Sequence, residues 1–333
     1  MLDLNTSSAR IFKQSSFLDN PDAGIENDWE RTILFSMDLL ILLISLFGDS
    51  IILIVTIRYK AIKLQKVIVA VIQHLAVCDL MQAVFRVFPI TLAVKADRWV
   101  LGKWLCKIEF NMQWFGLAMT FSLTGLMATL QLLTEKNPLK TNSWPAKFGH
   151  KLCAAVWCLC LGLYSPVLVS VLLYFDIQFN RLSYTCLGSE STPNWFVGWA
   201  YLQFYLTVFT FWIIPFIFIV VSSVLLLIIA KSTASRQHGE TVRREGFITV
   251  LLTVAVLLIS TLPATLMIGF HQDINPSISR AVIHLQFFNV MSNFFVYILV
   301  ITSFRKFLKL KISQLSFLLK SCESPRHEKG DDT

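Results

Sequence analysis

Apolar residues fall into seven long runs, at 32–57, 67–94, 104–133, 150–174, 197–230, 247–270 and 280–302, with short polar and mostly basic connections between them. A helix of about 20 residues at about 1.5 Å rise per residue crosses a hydrocarbon core of about 30 Å. Every run reaches that length. A membrane β-barrel would show shorter segments of alternating polarity, which this chain lacks. The pattern predicts an all-α fold, a seven-transmembrane helix bundle. Residues 1–31 form a polar leading segment, 32–302 the bundle and 303–333 the tail. In the tail, Phe304, Phe307, Leu308, Leu310 and Leu315 are interleaved with lysines and an arginine over Phe304–Leu319. That spacing predicts a short amphipathic eighth helix lying on the inner leaflet, followed by a disordered end.

A hydrophobic content of 55%, a charged content of 15% and a mean hydropathy of +0.63 suit a bundle whose outside faces lipid. The net charge of +8 would also suit nucleic acid, but its placement argues otherwise. Arg58, Lys60, Lys63 and Lys66 lie between runs 1 and 2, and Lys136, Lys140, Lys147 and Lys151 between runs 3 and 4. Lys231, Arg236, Arg243 and Arg244 lie between runs 5 and 6, and five more basic residues line the tail. The leading segment carries Asp19, Asp22, Glu26, Asp28 and Glu30 instead. Basic loops stay in the cytoplasm, so the N-terminus is expected outside and the tail inside, as in a multi-pass protein of the plasma membrane. Residues 1–31 lack the apolar core of a cleavable signal, so the first run is expected to direct its own insertion. Asn5-Thr6-Ser7 is then an outward glycosylation sequon, and Cys322 a candidate for palmitoylation.

Four cysteines, Cys78, Cys153, Cys158 and Cys160, fall within apolar runs and read as small packing residues. Cys106 and Cys186 share the outer, oxidising side and are the plausible pair.

Several residues then stand in a familiar order. Leu75-Ala76-x-x-Asp79, Trp99-x-x-Gly102-x-x-x-Cys106, Trp157, Pro215, Pro263 and Asn293-x-x-x-Tyr297 followed by Phe304 resemble the rhodopsin-like (class A) G-protein-coupled receptors over residues 32–320. The resemblance implies an outward ligand cavity, an inner face for heterotrimeric G proteins, and a Cys106–Cys186 disulfide tying the second outer loop across the cavity. Departures cluster at the inner end. Leu130-Gln131-Leu132 stands where the family carries Asp/Glu-Arg-Tyr, and Gln131 supplies no fixed charge. Ser260-Thr261-Leu262-Pro263 lacks the family's aromatic, and Phe294 replaces a proline, so helix 7 loses its expected break. Pro215 and Pro263 remain as kink sites, and Tyr297 as the last switch residue.

Ionisable groups inside a bilayer mark function because an unpaired charge there costs several kcal/mol. Asp79 corresponds to the family residue that holds a sodium ion or proton, with Thr120, Asn289 and Asn293 as expected neighbours. Asp49 in run 1 replaces the family's asparagine, and two adjacent carboxylates are expected to share a cation or a proton. No other cofactor is implied. Arg86, about two turns beyond Asp79, and Glu109, one turn after Cys106, form a second cluster. An Arg86–Glu109 ion pair is the economical expectation; the alternative is that Arg86 grips an acidic ligand group while Glu109 orients it. Gln113 stands where amine receptors carry aspartate, which argues against a biogenic amine. Phe287 stands where opsins carry their retinal-binding lysine, and no lysine occurs between Val282 and Ser303, so a Schiff base has no amine. Aromatic residues Trp104, Phe110, Trp114, Phe115, Phe211, Trp212 and Phe288 suit an apolar or aromatic ligand or simply lipid, while Trp99, Trp195 and Trp199 suit the interfacial belt.

No phosphate loop and no paired His/Cys metal spacing suggests an enzyme, and His74 and His284 read as satisfied polar contacts. The chain therefore reads as a receptor for a small, non-aminergic extracellular ligand that signals through a heterotrimeric G protein. A non-coupling binding, decoy or dimerisation partner of the same descent is the alternative, with a transporter more distant.

Overall fold

A computed structural model describes residues 28–58, 65–137, 144–173, 177–180, 184–188, 210, 213–233, 240–270, 276–302, 304–310 and 313–314. Asn5, Trp195, Trp199, Phe211, Trp212 and Cys322 lie outside them. The helices are α1 (Asp28–Arg58), α2 (Lys66–Ala96), α3 (Gly102–Lys136), α4 (Ala146–Leu173), α5 (Ile214–Thr233), α6 (Glu240–Phe270) and α7, in two parts, Pro276–Leu285 and Phe287–Val300. Among the described residues, six helices are long and apolar enough to cross a membrane: α1 to α4, with Glu245–Ala264 of α6 and Arg280–Val300 of α7. The described part of α5 holds a shorter apolar helix, Ile214–Leu226.

The bundle is apolar on the outside. Phe47, Ile57, Leu159, Leu173 and Ile259 are among its most exposed residues, whereas Asp49, Asp79, Arg86 and Glu109 are buried. That inversion is what a lipid solvent dictates, since polar groups must find partners inside the protein. α3 lies at the centre. The apolar core runs along it through Phe115, Met119, Leu123 and Met127 to Ile219 of α5, Leu257 of α6 and Tyr297 of α7.

Helix geometry follows from particular residues. Pro166 has no N–H for the Gly162 carbonyl one turn earlier, and the Ser165 hydroxyl donates to that carbonyl at 2.9 Å instead. Before Pro263, the Thr261 and Ser260 hydroxyls both donate to the Leu257 carbonyl, at 2.5 and 3.2 Å. Such back-bonding bends helices, so the residues that replace the family's aromatic have a local structural role. α7 runs unbroken through Phe294, as the missing proline predicts, and its interruption falls at Gln286. There Gln286 N donates to Ile283 O and Asn289 N to Gln286 O, both at 3.2 Å, a tightened turn. In place of the proline break, the Phe294 ring lies against Gly48, where a Cβ would come within 2.5 Å of it.

Two features were not legible in the pattern. α2 widens into a π turn over Ala83–Val87, and the second outer loop folds as a hairpin. Its strands β1 (Ile177–Asn180) and β2 (Thr185–Gly188) are antiparallel, with Phe179 opposite Cys186. Cys106 and Cys186 are disulfide-bonded at a Cα–Cα distance of 5.6 Å, fastening the hairpin to the start of α3. Beyond α7, helical backbone at 304–310 buries Phe304 and partly buries Phe307 against the bundle, with Arg305 and Lys306 outward. The rest of the segment expected as an interfacial helix lies largely outside the described residues.

Candidate functional site

The first cluster, at the end of the bundle expected to face outward, lies where α2, α3, α7 and the hairpin meet. The expected Arg86–Glu109 ion pair does not form. Arg86 Nη2 donates to Gln286 Oε1 at 2.6 Å, and its guanidinium lies over the Phe287 ring at 4.9 Å. Glu109 Oε2 instead accepts the backbone N–H of Cys186 at 3.1 Å. Two local causes separate the pair. The π turn carries Arg86 itself, so its direction is not that of a uniform helix, and it reaches α7. The disulfide at Cys106, one turn before Glu109, brings the Cys186 amide to the carboxylate. Arg86 Nε and Glu109 Oε1 are left buried with no hydrogen-bond partner, although the two charges feel one another. Gln113, one turn further along α3, is 8% exposed and completes the wall.

A buried pair that the spacing did not suggest sits beside it. Asp38 Oδ1 of α1 and His284 Nδ1 of α7 are 2.8 Å apart, at 0% and 2% side-chain exposure. His284 also packs edge-on against Phe287 at 5.4 Å. Toward the chain's polar leading end, Arg280 pairs with Glu30 at 2.8 Å, and the Tyr184 hydroxyl donates to Asp97 Oδ1 at 2.6 Å. An acidic residue within an apolar run was the available signal for Asp38. Its partner, 246 positions away, was not visible without the fold.

At mid-bundle, Asn293 Nδ2 donates to Asp79 Oδ2 at 2.6 Å. Asp79 Oδ1, both Asp49 oxygens, Asn293 Oδ1, Asn289 Nδ2, Ser45 Oγ and the Tyr297 hydroxyl are buried without partners. Asp49, Asp79 and Tyr297 lie within electrostatic reach of one another. Thr120 does not join them. Its hydroxyl accepts from Gln82 Nε2 at 3.2 Å and lies 3.8 Å from the Cys78 sulfur. The donor set is almost all hard oxygen, which suits a small cation or a shared proton.

At the opposite end of the bundle, the described contacts join amides and hydroxyls to carboxylates and to a glycine. Gln131 Nε2 donates to Glu135 Oε1 at 3.2 Å, and its amide oxygen lies so close to α6 that a Cβ at Gly246 would stand 2.8 Å from it. Thr134 donates to Gln65 at 2.5 Å, and Thr302 donates to Glu245. Arg305 Nη2 in turn donates to Thr302 Oγ1 at 3.1 Å. Pro215 is buried beside Gly125 of α3, its carbonyl 3.6 Å from where a Cβ would stand, while Pro263 is half-buried and Tyr297 fully buried. Gln65, Glu245 and Gly246 carry no sequence signal of their own; only the packing identifies them.

The structure thus combines a buried polar spine, a disulfide-fastened hairpin and helices long enough to cross a membrane. The model of the family described as "7 transmembrane receptor (rhodopsin family)" matches residues 48–305, and the chain belongs to that family. A cholecystokinin receptor of Xenopus laevis is 28% identical over 174 residues, which are 50% of this chain and 36% of that receptor. The chain thus matches about a third of the length of that curated relative. Membership makes this a G-protein-coupled receptor by family and a multi-pass membrane protein, among receptors rather than enzymes.

Proposed function

We propose that the chain is a plasma-membrane receptor, N-terminus outside, that binds a small non-aminergic ligand in the outer half of the bundle and signals inward through a heterotrimeric G protein. The observation that carries this reading is the pair of buried, unpartnered atoms under the hairpin, Arg86 Nε and Glu109 Oε1. A buried charged group left half-satisfied costs free energy, and a ligand that completes its bonds recovers it. Arg86 takes an acidic ligand group, Glu109 orients a donor, and Gln113 and Phe287 supply a neutral and an aromatic wall. The relative's name makes cholecystokinin a first compound to test. Asp49, Asp79, Asn289 and Asn293 hold a sodium ion or a shared proton, which couples the outer half to the inner one. Pro215, Pro263 and Tyr297 carry the rearrangement, and Gln131 releases α6. Asn5 carries a glycan and Cys322 an acyl chain.

A second reading, that the chain binds without coupling, is favoured by one observation: Gln131 has no fixed charge and is already engaged with Glu135 and α6. A recruitment assay across G-protein subtypes, with Gln131→Arg alongside, separates the two. The coupling reading predicts recruitment of at least one subtype by the wild-type chain. If neither form recruits any subtype while both reach the cell surface, coupling is ruled out and the binding-only reading stands.

A further inference from the structure

His74 of α2 and His150 of α4 meet one turn inside the start of α4, away from both polar clusters described above. His74 Nε2 stands 3.3 Å from His150 Nδ1, and the ring centroids are 5.5 Å apart with planes at 60°. A direct N–H donor commonly stands about 2.9–3.0 Å from its acceptor, so the gap is long for an imidazole–imidazole hydrogen bond. It matches a different arrangement. Two nitrogens bound to one tetrahedral ion at about 2.0–2.1 Å stand about 3.3–3.4 Å apart. We propose that His74 and His150 form a two-histidine site for a borderline divalent transition-metal ion, Zn2+ or Cu2+, that clamps α2 to α4.

The backbones around the pair are fixed. A Cβ at Gly149, next to His150, would come within 2.9 Å of the Val67 carbonyl oxygen and of the Ala70 Cβ. The two helices are therefore in closest contact one turn below His74, and the nitrogen spacing is set by rigid elements rather than by loops. His150 is exposed and His74 half-buried, so the pair is open at the bundle surface near the start of α4. Among the described residues no third His, Cys, Asp or Glu completes a cluster. Water fills the remaining coordination positions, and the ion binds reversibly. Neutral imidazole favours Zn2+ and Cu2+ over Mg2+ or Ca2+, which take oxygen ligands.

The test uses the full chain in lipid nanodiscs, titrated with Zn2+ by calorimetry and loaded with Cu2+ for electron paramagnetic resonance. One ion per chain is expected, with a rise in melting temperature on Zn2+ addition and hyperfine coupling to two imidazole nitrogens on Cu2+ addition. His150→Asn and His74→Asn are each expected to weaken binding roughly tenfold or more, since even outer partners of a ligand are worth about 10–100-fold. The double variant His238→Asn, His327→Asn is expected to bind as the wild type does. His150 is exposed, so its substitution leaves folding intact, which an unchanged metal-free melting curve verifies. Absence of binding up to millimolar Zn2+, undiminished affinity in His150→Asn, or coupling to fewer than two nitrogens overturns the proposal.

Discussion

The two ends of the bundle are held together by different chemistry. At the outer end a disulfide, a buried Asp38–His284 pair and the Arg280–Glu30 bridge fasten α1, α3, α7 and the hairpin with a covalent bond and with charge. At the opposite end, among the described residues, the Gln131 amide of α3 packs against Gly246 of α6, and the Thr302 hydroxyl beyond α7 donates to the Glu245 carboxylate of α6. Breaking one partner of a buried charged pair strands the other. One end thus sets two half-partnered charged groups behind a covalent tie, while the other relies on single hydrogen bonds and a glycine contact.

Substitutions sharpen that difference in order of size. Cys186→Ser removes the covalent tie and with it the placement of the amide on Glu109. Loss of a native disulfide costs about 2–5 kcal/mol, so thermal stability in detergent should fall steeply and surface expression with it. Thr302→Ala removes a part-buried hydroxyl bond to a carboxylate, worth about 1.5–3 kcal/mol, and, like Gly246→Ala, should raise basal G-protein recruitment. Asp38→Ala strands His284 in the core. Leaving a buried polar group without its hydrogen-bond partner costs about 1–3 kcal/mol, against about 0–1 kcal/mol for Glu30→Ala at the partly exposed bridge. Equal melting temperatures for those two variants would remove the distinction between frame and rim.

Two glycines offer a finer contrast. Gly149→Ala drives a methyl into the Val67 backbone, which cannot yield, and overpacking of this kind costs about 1–3 kcal/mol. Gly246→Ala meets only the flexible end of Gln131, so stability should change by less than about 1 kcal/mol while the inner end loosens. Basal G-protein recruitment by Gly246→Ala should exceed that of the wild type, and a fall would contradict an inner end held by that contact.

The seven spans were legible because a bilayer demands long apolar runs, and the disulfide followed from the family resemblance. Asp49 and Asp79 were visible as carboxylates inside apolar runs, and their grouping with Asn293 followed from the family resemblance. Direction was the part that failed. Arg86 was aimed at Glu109 on a uniform helix, and the π turn at Ala83–Val87 sends it to Gln286 instead. Thr120 was placed beside Asp79, yet Gln82 takes its hydroxyl. Asp38 and His284 were each visible as polar residues in apolar runs, but their pairing is a property of how α1 packs on α7. Turn width and helix adjacency decide such contacts, and neither is written in local periodicity.

The outer site is the centre of the account, and a thermal-shift screen with cholecystokinin and small organic acids tests it most directly. A ligand at 100 times its dissociation constant stabilises the folded state by about 2.7 kcal/mol, enough to read as a shift of several degrees. The account predicts at least one acid-bearing compound that raises the melting temperature of the wild-type chain, with the shift abolished in Arg86→Gln and reduced in Glu109→Gln. A stabilising compound whose shift survives intact in Arg86→Gln would contradict it.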